Sequence, residues 1–278
     1  MLVVACDQRG GMREVLARTP EARALIGNDV LGLTKTDIAR HLARHAGCVL
    51  LDPFCAVPGI VDQGLLHRST ALLVGLDASG WETSPEGFRV STMVDGVTAR
   101  RVRELGGTGG KVLIYLRSDM PEANRENLAT LARVVADFAA EDLLLVVEFL
   151  TYRLGHESPE AYASAIPSLI EGGARLCLDA GAKVLKIPYP GTPEACAAVT
   201  AMAGDTPWAV LSAGVDHATF LGQVEVAMAN GASGVIAGRS LWKDCVSLDR
   251  EETRARLEAV AVPRLDEIKA VIARHFPG

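Results

Sequence analysis

One lysine in an apolar stretch lies where it could act as a nucleophile. Lys186 falls in the mostly aliphatic run 182–190, which ends in two prolines and is typical of a buried strand. A buried ammonium group is costly unless it is paired or has a lowered pKa, and a desolvated amine is what Schiff-base formation needs. A strand-end lysine held in an ion pair is the alternative. Because side chains alternate along a strand, Lys183 is expected on the opposite face, near the strand entrance.

Two further charged residues, Lys111 and Glu148, are predicted to lie beside Lys186. Each falls in or directly after another apolar stretch, and alternation places it on the face that would line a barrel interior. A second ammonium group lowers the pKa of the first, and Glu148 could shuttle protons while a carbinolamine loses water. Asp7, at the end of the first strand, could do the same for a substrate hydroxyl. A purely stabilising ion pair between Lys111 and Glu148 stays open, although buried pairs stabilise less than apolar packing.

Two turns of small residues predict an anion-binding site. Ser212 and Gly214 lie in one turn, and Gly238 and Arg239 lie in the other. Small residues leave backbone N–H groups accessible, a helix is expected after each turn, and Arg239 adds a charge-assisted contact. In α/β barrels this position commonly binds phosphate. Ordinary strand-to-helix turns, which favour the same residues, are the alternative.

A second and weaker anion contact is predicted at the far end of a substrate. Gln8 and Arg9 follow the first predicted strand, and Arg117 follows the fourth. Their side chains could bind a second acidic group there. Solvated loop residues are the alternative interpretation.

Eight short apolar segments supply the frame for these side chains. They mostly alternate with helical patterns, which implies right-handed β-α-β units and a parallel sheet. Eight units in 278 residues predict a (β/α)8 TIM barrel and a single domain over residues 1–278, with an open, doubly wound sheet as the alternative. The predicted strands are 2–6, 48–51, 70–76, 111–116, 143–147, 182–190, 207–211 and 234–237.

Polar residues follow nearly every predicted strand. Because the carboxyl ends of barrel strands share one face, these residues are expected to form one site. Between the strands, 7–11 is expected to be a loop, 34–45 a helix, and 250–275 an amphipathic helical tail. The tail makes a homo-oligomer plausible. The strand-end residues are Asp7, Asp52, Asp77, Arg117, Glu148, Lys186, Ser212 and Arg239.

Composition excludes several classes of protein. The net charge is −6 and no basic block stands out, so no nucleic-acid partner is expected. The six cysteines are scattered without a C-x-x-C pair, which favours a reducing cytoplasm over a disulfide framework or a zinc site. There is no signal-peptide pattern and no run of 18 apolar residues, so no membrane association is expected.

Five segments, taken in order, resemble a known enzyme family. Over nearly the whole chain they are similar to the class I tagatose 1,6-bisphosphate aldolases and the related sulfofructose 1-phosphate aldolases, which need no metal or other cofactor. The segments are 7–10 (DQRG), 148–152 (EFLTY), 185–188 (LKIP), 211–215 (LSAGV) and 238–242 (GRSLW). The resemblance implies a Schiff base on Lys186, catalytic roles for Asp7, Lys111 and Glu148, and phosphate contacts at Ser212, Gly214 and Arg239.

The resemblance points to a phosphorylated ketose as substrate but divides between two branches. Segments 116–119 and 227–234 are more similar to the sulfosugar aldolases, whereas 148–152 and 51–53 are more similar to the tagatose branch. The expected reaction cleaves 6-deoxy-6-sulfofructose 1-phosphate to dihydroxyacetone phosphate and sulfolactaldehyde. The alternative cleaves tagatose 1,6-bisphosphate and yields glyceraldehyde 3-phosphate.

Two other functions stay open. One is a barrel isomerase or synthase that binds phosphate but forms no imine. The other is a non-catalytic barrel that senses phosphosugars. A metal-dependent aldolase is disfavoured, because no predicted strand end carries the histidine ligands that zinc prefers.

Overall fold

Eight parallel strands close into a barrel in the computed structural model, which describes residues 1–276 of the chain. Two further, very short strands form a separate antiparallel hairpin. The strands are β1 (Leu2–Cys6), β2 (Cys48–Leu51), β3 (Ala71–Gly75), β4 (Glu82–Thr83), β5 (Arg89–Val90), β6 (Gly109–Tyr115), β7 (Leu144–Leu150), β8 (Val184–Ile187), β9 (Trp208–Leu211) and β10 (Gly234–Ala237).

Helices follow most of the barrel strands. Several begin with a side-chain cap and a proline in the first turn, as at Ser158 and Thr192, because both features satisfy or avoid the free N–H groups of a helix start. The helices are α1 (Gly10–Leu16), α2 (Pro20–Ala24), α3 (Asn28–Leu42), α4 (Val57–Asp62), α5 (Ala99–Glu104), α6 (Arg125–Ala140), α7 (Pro159–Asp179), α8 (Pro193–Ala203), α9 (His217–Ala229), α10 (Arg239–Trp242), α11 (Arg250–Arg256) and α12 (Val262–His275). Short 3-10 turns lie at Ala43–His45 and Pro121–Asn124, and a π-helical turn lies at Leu257–Ala261.

The strand order confirms the predicted (β/α)8 barrel. Around the barrel the order is β1-β10-β9-β8-β7-β6-β3-β2, and β2 pairs with β1 to close it. An open sheet would leave two edges unpaired, so this closure excludes the doubly wound alternative. All eight predicted barrel strands are present, with ends that differ by a few residues from the predicted ones.

Alternation along the strands separates two apolar layers. A large cluster packs the barrel against the surrounding helices, and a smaller one fills the barrel interior with residues such as Val146 and Val184. Glu148 and Lys186 each lie two residues beyond one of these interior positions, so their side chains continue the interior face towards the carboxyl ends of the strands. The apolar interior therefore forms a floor, and the charged residues lie above it.

Local structure differs from the sequence-based expectation at two places near that face. The segment after β1 was expected to be a loop through Gly11, but α1 begins at Gly10. The polar stretch after β3 contains the β4–β5 hairpin, whose two-residue strands are too short for alternation to reveal.

The C-terminal tail is helical, as predicted, and packs on its own chain. The buried carboxylate of Asp37 on α3 accepts hydrogen bonds from Arg250 and Arg254. Farther along the tail, α12 contacts α9 and buries Leu265 and Ile268. The apolar face of the tail is thus used within the chain, so its amphipathic pattern gives no support to the expected homo-oligomer. Among residues 1–276, no helix has the length and apolar character needed to cross a membrane.

Candidate active site

Lys186 and Glu148 are direct neighbours across two barrel strands. Glu148 on β7 is in register with Lys186 on β8, and the Lys186 Nζ donates to Glu148 Oε2 at 2.8 Å. Lys186 is only 4% exposed. The amine therefore has one carboxylate within reach for proton exchange and little contact with water.

Lys111 occupies the centre of a carboxylate cluster. Its Nζ lies 2.7 Å from Asp7 Oδ2, 2.7 Å from Asp77 Oδ1 and 3.2 Å from Glu148 Oε2. The lysine itself is 2% exposed. Glu148 Oε2 contacts both Lys111 and Lys186, as expected for two ammonium groups that share one carboxylate. The cluster is larger than that group, because Asp7 and Asp77 also contact Lys111. Asp77 is an additional member that sequence reasoning placed at a strand end without assigning it a role.

The pKa values of the two aspartates in this cluster move apart. Burial raises both, but the ammonium groups of Lys111 and Lys186 hold the pKa of Asp7 well below its ordinary value. For Asp77, burial together with the nearby carboxylates of Asp7 and Glu148 outweighs Lys111, and its pKa is raised. Divergent pKa values in neighbouring carboxyl groups often separate an ionised partner from an acid or base. Here Asp77 takes up a proton more readily than Asp7.

Lys111 stays charged throughout the physiological range. Burial works against its ammonium form, but the three carboxylates raise its pKa well above the ordinary value. Lys111 therefore serves as a fixed positive charge rather than as a nucleophile, since a nucleophilic amine must lose its proton.

Two buried oxygens at the site lack a donor. Within residues 1–276, no group donates to Asp7 Oδ1 or to Gln8 Oε1. An unpaired buried acceptor is costly unless something else fills its hydrogen bond. Both residues line the cavity beside Lys186, so substrate hydroxyl groups are suitable donors.

The two turns that were predicted to bind an anion meet at one side of Lys186. Ser212 Oγ accepts a hydrogen bond of 3.3 Å from the Gly238 N–H, which joins the two turns. Gly214 has a φ of 80°, and an added Cβ there would lie 3.3 Å from the guanidinium carbon of Arg239, so only glycine fits without strain. Ser212, Gly214, Gly238 and Arg239 line a cavity of about 160 Å³ together with Lys186.

A larger cavity opens on the other side of Lys186. It measures about 350 Å³ and contains the carboxylate cluster, Arg9 and Trp81. The Arg9 guanidinium donates to the Asp77 carbonyl oxygen at 2.8 Å. The two cavities share Gln8, Glu148, Leu150, Lys186 and Arg239. A ligand that spans both would cross the amine of Lys186.

A cavity of greater volume than either of these lies elsewhere. It measures about 620 Å³ and lies between residues 91–98 and α6, outside the barrel. No lysine lines it, and it does not reach the barrel interior. The cavity of greater volume is therefore separate from the buried lysines and carboxylates of the barrel interior.

The predicted substrate contact of Arg117 requires correction. Its guanidinium is 1% exposed and donates to Glu157 at 2.6 Å and to Asp119 at 2.7 Å. A further bond of 2.9 Å reaches the carbonyl oxygen of Tyr152. These partners occupy the donors that a ligand would need, and Arg117 lines neither cavity beside Lys186. Arg117 instead ties the loop after β6 to the loop after β7.

Replacing Arg117 with methionine is expected to lower the free energy of unfolding by about 3 kcal/mol, because Glu157 loses its buried partner. Urea unfolding of both proteins measures the difference. Arg125→Met, an exposed substitution on α6, is the matched control and should change stability little. Equal stability of the Arg117 and Arg125 variants would contradict the structural role.

A second buried ion pair lies outside the site. Lys35 on α3 donates to the Asp52 carboxylate after β2, and both side chains are almost fully buried. The other carboxylate oxygen of Asp52 accepts from the N–H groups of Phe54 and Cys55. Asp52 was correctly predicted at a strand end, but its partners assign it to packing α3 against the barrel.

The chain is similar to known aldolases over most of its length. A family model described as DeoC/LacD family aldolase matches residues 1–244. Tagatose 1,6-diphosphate aldolase 2 of Streptococcus agalactiae serotype III (strain NEM316) is 26% identical, with 97% of this chain and 90% of that protein covered. Tagatose 1,6-diphosphate aldolase of Lactococcus lactis subsp. lactis is also 26% identical, with 98% and 90% covered.

Solved structures show the same barrel. Fructose-bisphosphate aldolase from Slackia heliotrinireducens DSM 20476 superposes with a TM-score of 0.67 at 21% identity, covering 99% of this chain and 85% of that chain. A Schiff-base-forming fructose-1,6-bisphosphate aldolase superposes with a TM-score of 0.62 at 22% identity, covering 94% and 93%. At these identities the structural likeness supports the fold and no finer conclusion.

Proposed function

This chain belongs to the DeoC/LacD family of aldolases, which are lyases, and from that membership we propose that it is a class I ketose 1-phosphate aldolase with Lys186 as the Schiff-base residue. The observation that carries the proposal is the position of Lys186. Its amine is buried, lies 2.8 Å from the Glu148 carboxylate, and stands where two cavities meet.

The first half of the proposed reaction forms an imine. The Lys186 amine, its proton taken by Glu148, attacks the C2 carbonyl of the ketose and gives a carbinolamine. Glu148 then returns a proton to the departing hydroxyl, which leaves as water, and an iminium ion remains. The hydrogen bond between Lys186 and Glu148 supports this exchange.

The second half breaks the C3–C4 bond. A base takes the proton of the C4 hydroxyl, the bond electrons move into the iminium, and the aldehyde leaves. The unpartnered Oδ1 of Asp7 suits contact with that hydroxyl, while the raised pKa of Asp77 makes it the better holder of the proton. Protonation of the remaining enamine at C3 and hydrolysis of the imine release dihydroxyacetone phosphate and regenerate Lys186.

The shape of the site supports an orientation for the substrate. The smaller cavity offers Ser212, Gly214, Gly238 and Arg239 to the C1 phosphate. With C2 at Lys186, carbons C4 to C6 extend into the larger cavity, where Gln8 and Arg9 are available to a C6 anion.

Of the two substrate branches, we favour tagatose 1,6-bisphosphate. The sequence features that favour a sulfosugar lie away from the cavities: Arg117 is engaged by carboxylates, and 227–234 joins α9 to β10 at the opposite end of the barrel. Segment 148–152, which resembles the tagatose branch, contributes Glu148 and Leu150 to the cavities. Both curated relatives above are named tagatose 1,6-diphosphate aldolases. Cleavage of 6-deoxy-6-sulfofructose 1-phosphate is the second candidate.

Borohydride reduction in the presence of dihydroxyacetone phosphate tests the imine. We expect a stable mass adduct on the peptide that contains Lys186, and turnover of tagatose 1,6-bisphosphate that exceeds turnover of the sulfosugar in parallel assays. Absence of an adduct, or an adduct on another lysine, would contradict the assignment. Higher turnover of 6-deoxy-6-sulfofructose 1-phosphate would reverse the order of the substrates and keep the mechanism.

Replacing Arg239 with methionine is expected to raise KM about 10- to 100-fold with a smaller change in kcat, because its guanidinium contacts the phosphate before and during the reaction. Steady-state kinetics and competitive inhibition by inorganic phosphate measure the loss. Arg100→Met, at an exposed position on α5, is the control that removes one positive charge elsewhere. An unchanged inhibition constant for phosphate in the Arg239 variant would contradict the phosphate site.

A further inference from the structure

One arginine at the rim of the larger cavity is held by aromatic rings. The guanidinium carbon of Arg89, on β5, lies 3.7 Å from the centroid of the Trp81 ring. The ring of Tyr115 is 5.4 Å away and that of Tyr152 is 5.1 Å away. Within residues 1–276, no carboxylate pairs with this guanidinium. Three aromatic faces therefore supply the contacts that a charged partner usually provides.

The backbone of Arg89 is anchored as firmly as its side chain. Its N–H donates to the Tyr152 hydroxyl at 3.3 Å, and its carbonyl oxygen accepts from Asn127 on α6 at 2.7 Å. These bonds hold the β4–β5 hairpin against the loop after β7 and against α6. The position of the guanidinium is consequently set by the barrel.

Two rings of this arrangement, Tyr115 and Trp81, line the larger cavity, and the exposed one is Trp81. It lines the same space as Lys186, yet it is 46% exposed, so no packed core holds it. Arg89 stacks on its face, and Tyr115 meets it edge to face at 5.6 Å. An exposed indole that is fixed on one side by a cation and on another by an aromatic ring forms a rigid wall.

The order of the two cavities along the site indicates which part of a substrate this wall contacts. Ser212, Gly214 and Gly238 line only the smaller cavity. Lys186 lines both cavities, and Trp81 lines only the larger one. We propose that Trp81 packs against the aldehyde half of the ketose, carbons C4 to C6, and that Arg89 is the positioning residue that holds it there. This inference rests on the proposed function. It makes Trp81 and Arg89 determinants of the length and shape of the aldehyde that the site accepts. An indole ring would pack against the C–H groups on one face of the polyol chain.

Two ligands separate this role from a structural one. Dihydroxyacetone phosphate fills only the phosphate cavity and reaches Lys186, whereas a ketose bisphosphate also reaches the wall. Trp81→Ala should raise KM for tagatose 1,6-bisphosphate about tenfold, while the dihydroxyacetone phosphate concentration that half-saturates trapping at Lys186 stays unchanged. Arg89→Met should give the same pattern. Trp81→Phe and Arg89→Lys keep a ring and a cation, and both should restore most of the affinity.

Tryptophan fluorescence provides a direct readout of contact. The other two tryptophans, Trp208 and Trp242, are buried, so ligand-dependent changes report mainly on Trp81. In Lys186→Met protein, which binds without turnover, tagatose 1,6-bisphosphate should change the emission. Dihydroxyacetone phosphate should not, and the added Trp81→Phe substitution should abolish the change.

Several outcomes would overturn the inference. They are equal effects of Trp81→Ala on the two ligands, a lowered melting temperature with unchanged KM, or a fluorescence change that survives Trp81→Phe. Failure of the proposed function itself is recognised separately, because wild-type protein would then form no adduct with dihydroxyacetone phosphate at all.

Discussion

Aldol cleavage is expected to fall by about 10⁴- to 10⁶-fold when Lys186 is replaced with methionine, because the imine that accepts the bond electrons can no longer form. The fold should survive the change. Methionine fills a similar volume, and Glu148 keeps Lys111 at 3.2 Å as a counter-charge. Steady-state cleavage of tagatose 1,6-bisphosphate measures the loss, and borohydride reduction with dihydroxyacetone phosphate should leave the variant unlabelled.

Lys183 provides a matched control, because it lies three residues before Lys186 and directly before β8. Its side chain is exposed at the opposite end of the barrel, beside residues such as Asp142. Lys183→Met should therefore retain wild-type cleavage and labelling. Residual turnover by the Lys186 variant at more than a hundredth of the wild-type rate would favour a barrel enzyme that forms no imine, and labelling of Lys111 would reassign the nucleophile.

The positions of Lys186, Lys111 and Glu148 were predictable because alternation is a local property. The alternation of side chains between the two faces of a strand can be read from the strand alone. It predicts that Lys186, Lys111 and Glu148 lie on interior faces, without knowledge of any contact. Closure then followed from counting strands. The end of β7 was predicted three residues short, which did not matter because the face of Glu148 stays the same.

The features of the site that the sequence did not reveal depend on contacts between distant segments. Arg117 follows a strand, as a substrate-binding residue would, but its partner Glu157 lies 40 residues later in a loop whose path no periodic pattern defines. Asp77 also follows a strand, and its contact with Lys111 depends on the register that pairs Gly75 with Lys111. The stacking of Arg89 on Trp81 depends on a hairpin of two-residue strands. Sequence patterns reveal faces, whereas these contacts require the register and loop paths of the folded chain.

The second large effect is expected at Lys111. Lys111→Met should reduce kcat/KM about 10²- to 10⁴-fold and lower the free energy of unfolding by about 3–5 kcal/mol, since three carboxylates lose a shared ammonium group. Asp7 and Asp77 would then repel each other without a charge between them. Kinetics and urea unfolding at neutral pH measure the two effects.

Lys35→Met separates the catalytic effect from the loss of stability. Lys35 is also fully buried and pairs with a single carboxylate, Asp52, which lines neither cavity beside Lys186. Its replacement should destabilise the protein by a similar mechanism while kcat/KM of the folded fraction stays near wild type. If both variants lost activity equally at temperatures where both are folded, the special role of Lys111 would be contradicted.

The pH dependence of stability distinguishes the charge of Lys111 from its bulk. Because folding lowers the pKa of Asp7, its ionised carboxylate stabilises the fold at pH values above its ordinary pKa of 3.8. This contribution is lost as the pH falls through the lower pKa of the folded state. Because folding raises the pKa of Lys111, its ammonium group stabilises the fold at pH values below its ordinary pKa of 10.5. This contribution is lost as the pH rises through the higher pKa of the folded state. The contribution of Lys111 needs its ammonium group, which is also the stronger of the two positive charges that lower the pKa of Asp7. Wild type and Lys111→Met should therefore differ most between these limits. In the variant, the unpaired carboxylates resist ionisation, so acidification protonates them and should narrow the difference. A difference in unfolding free energy that stays constant from neutral to acidic pH would show that lost packing, and not the lost charge, destabilises the variant.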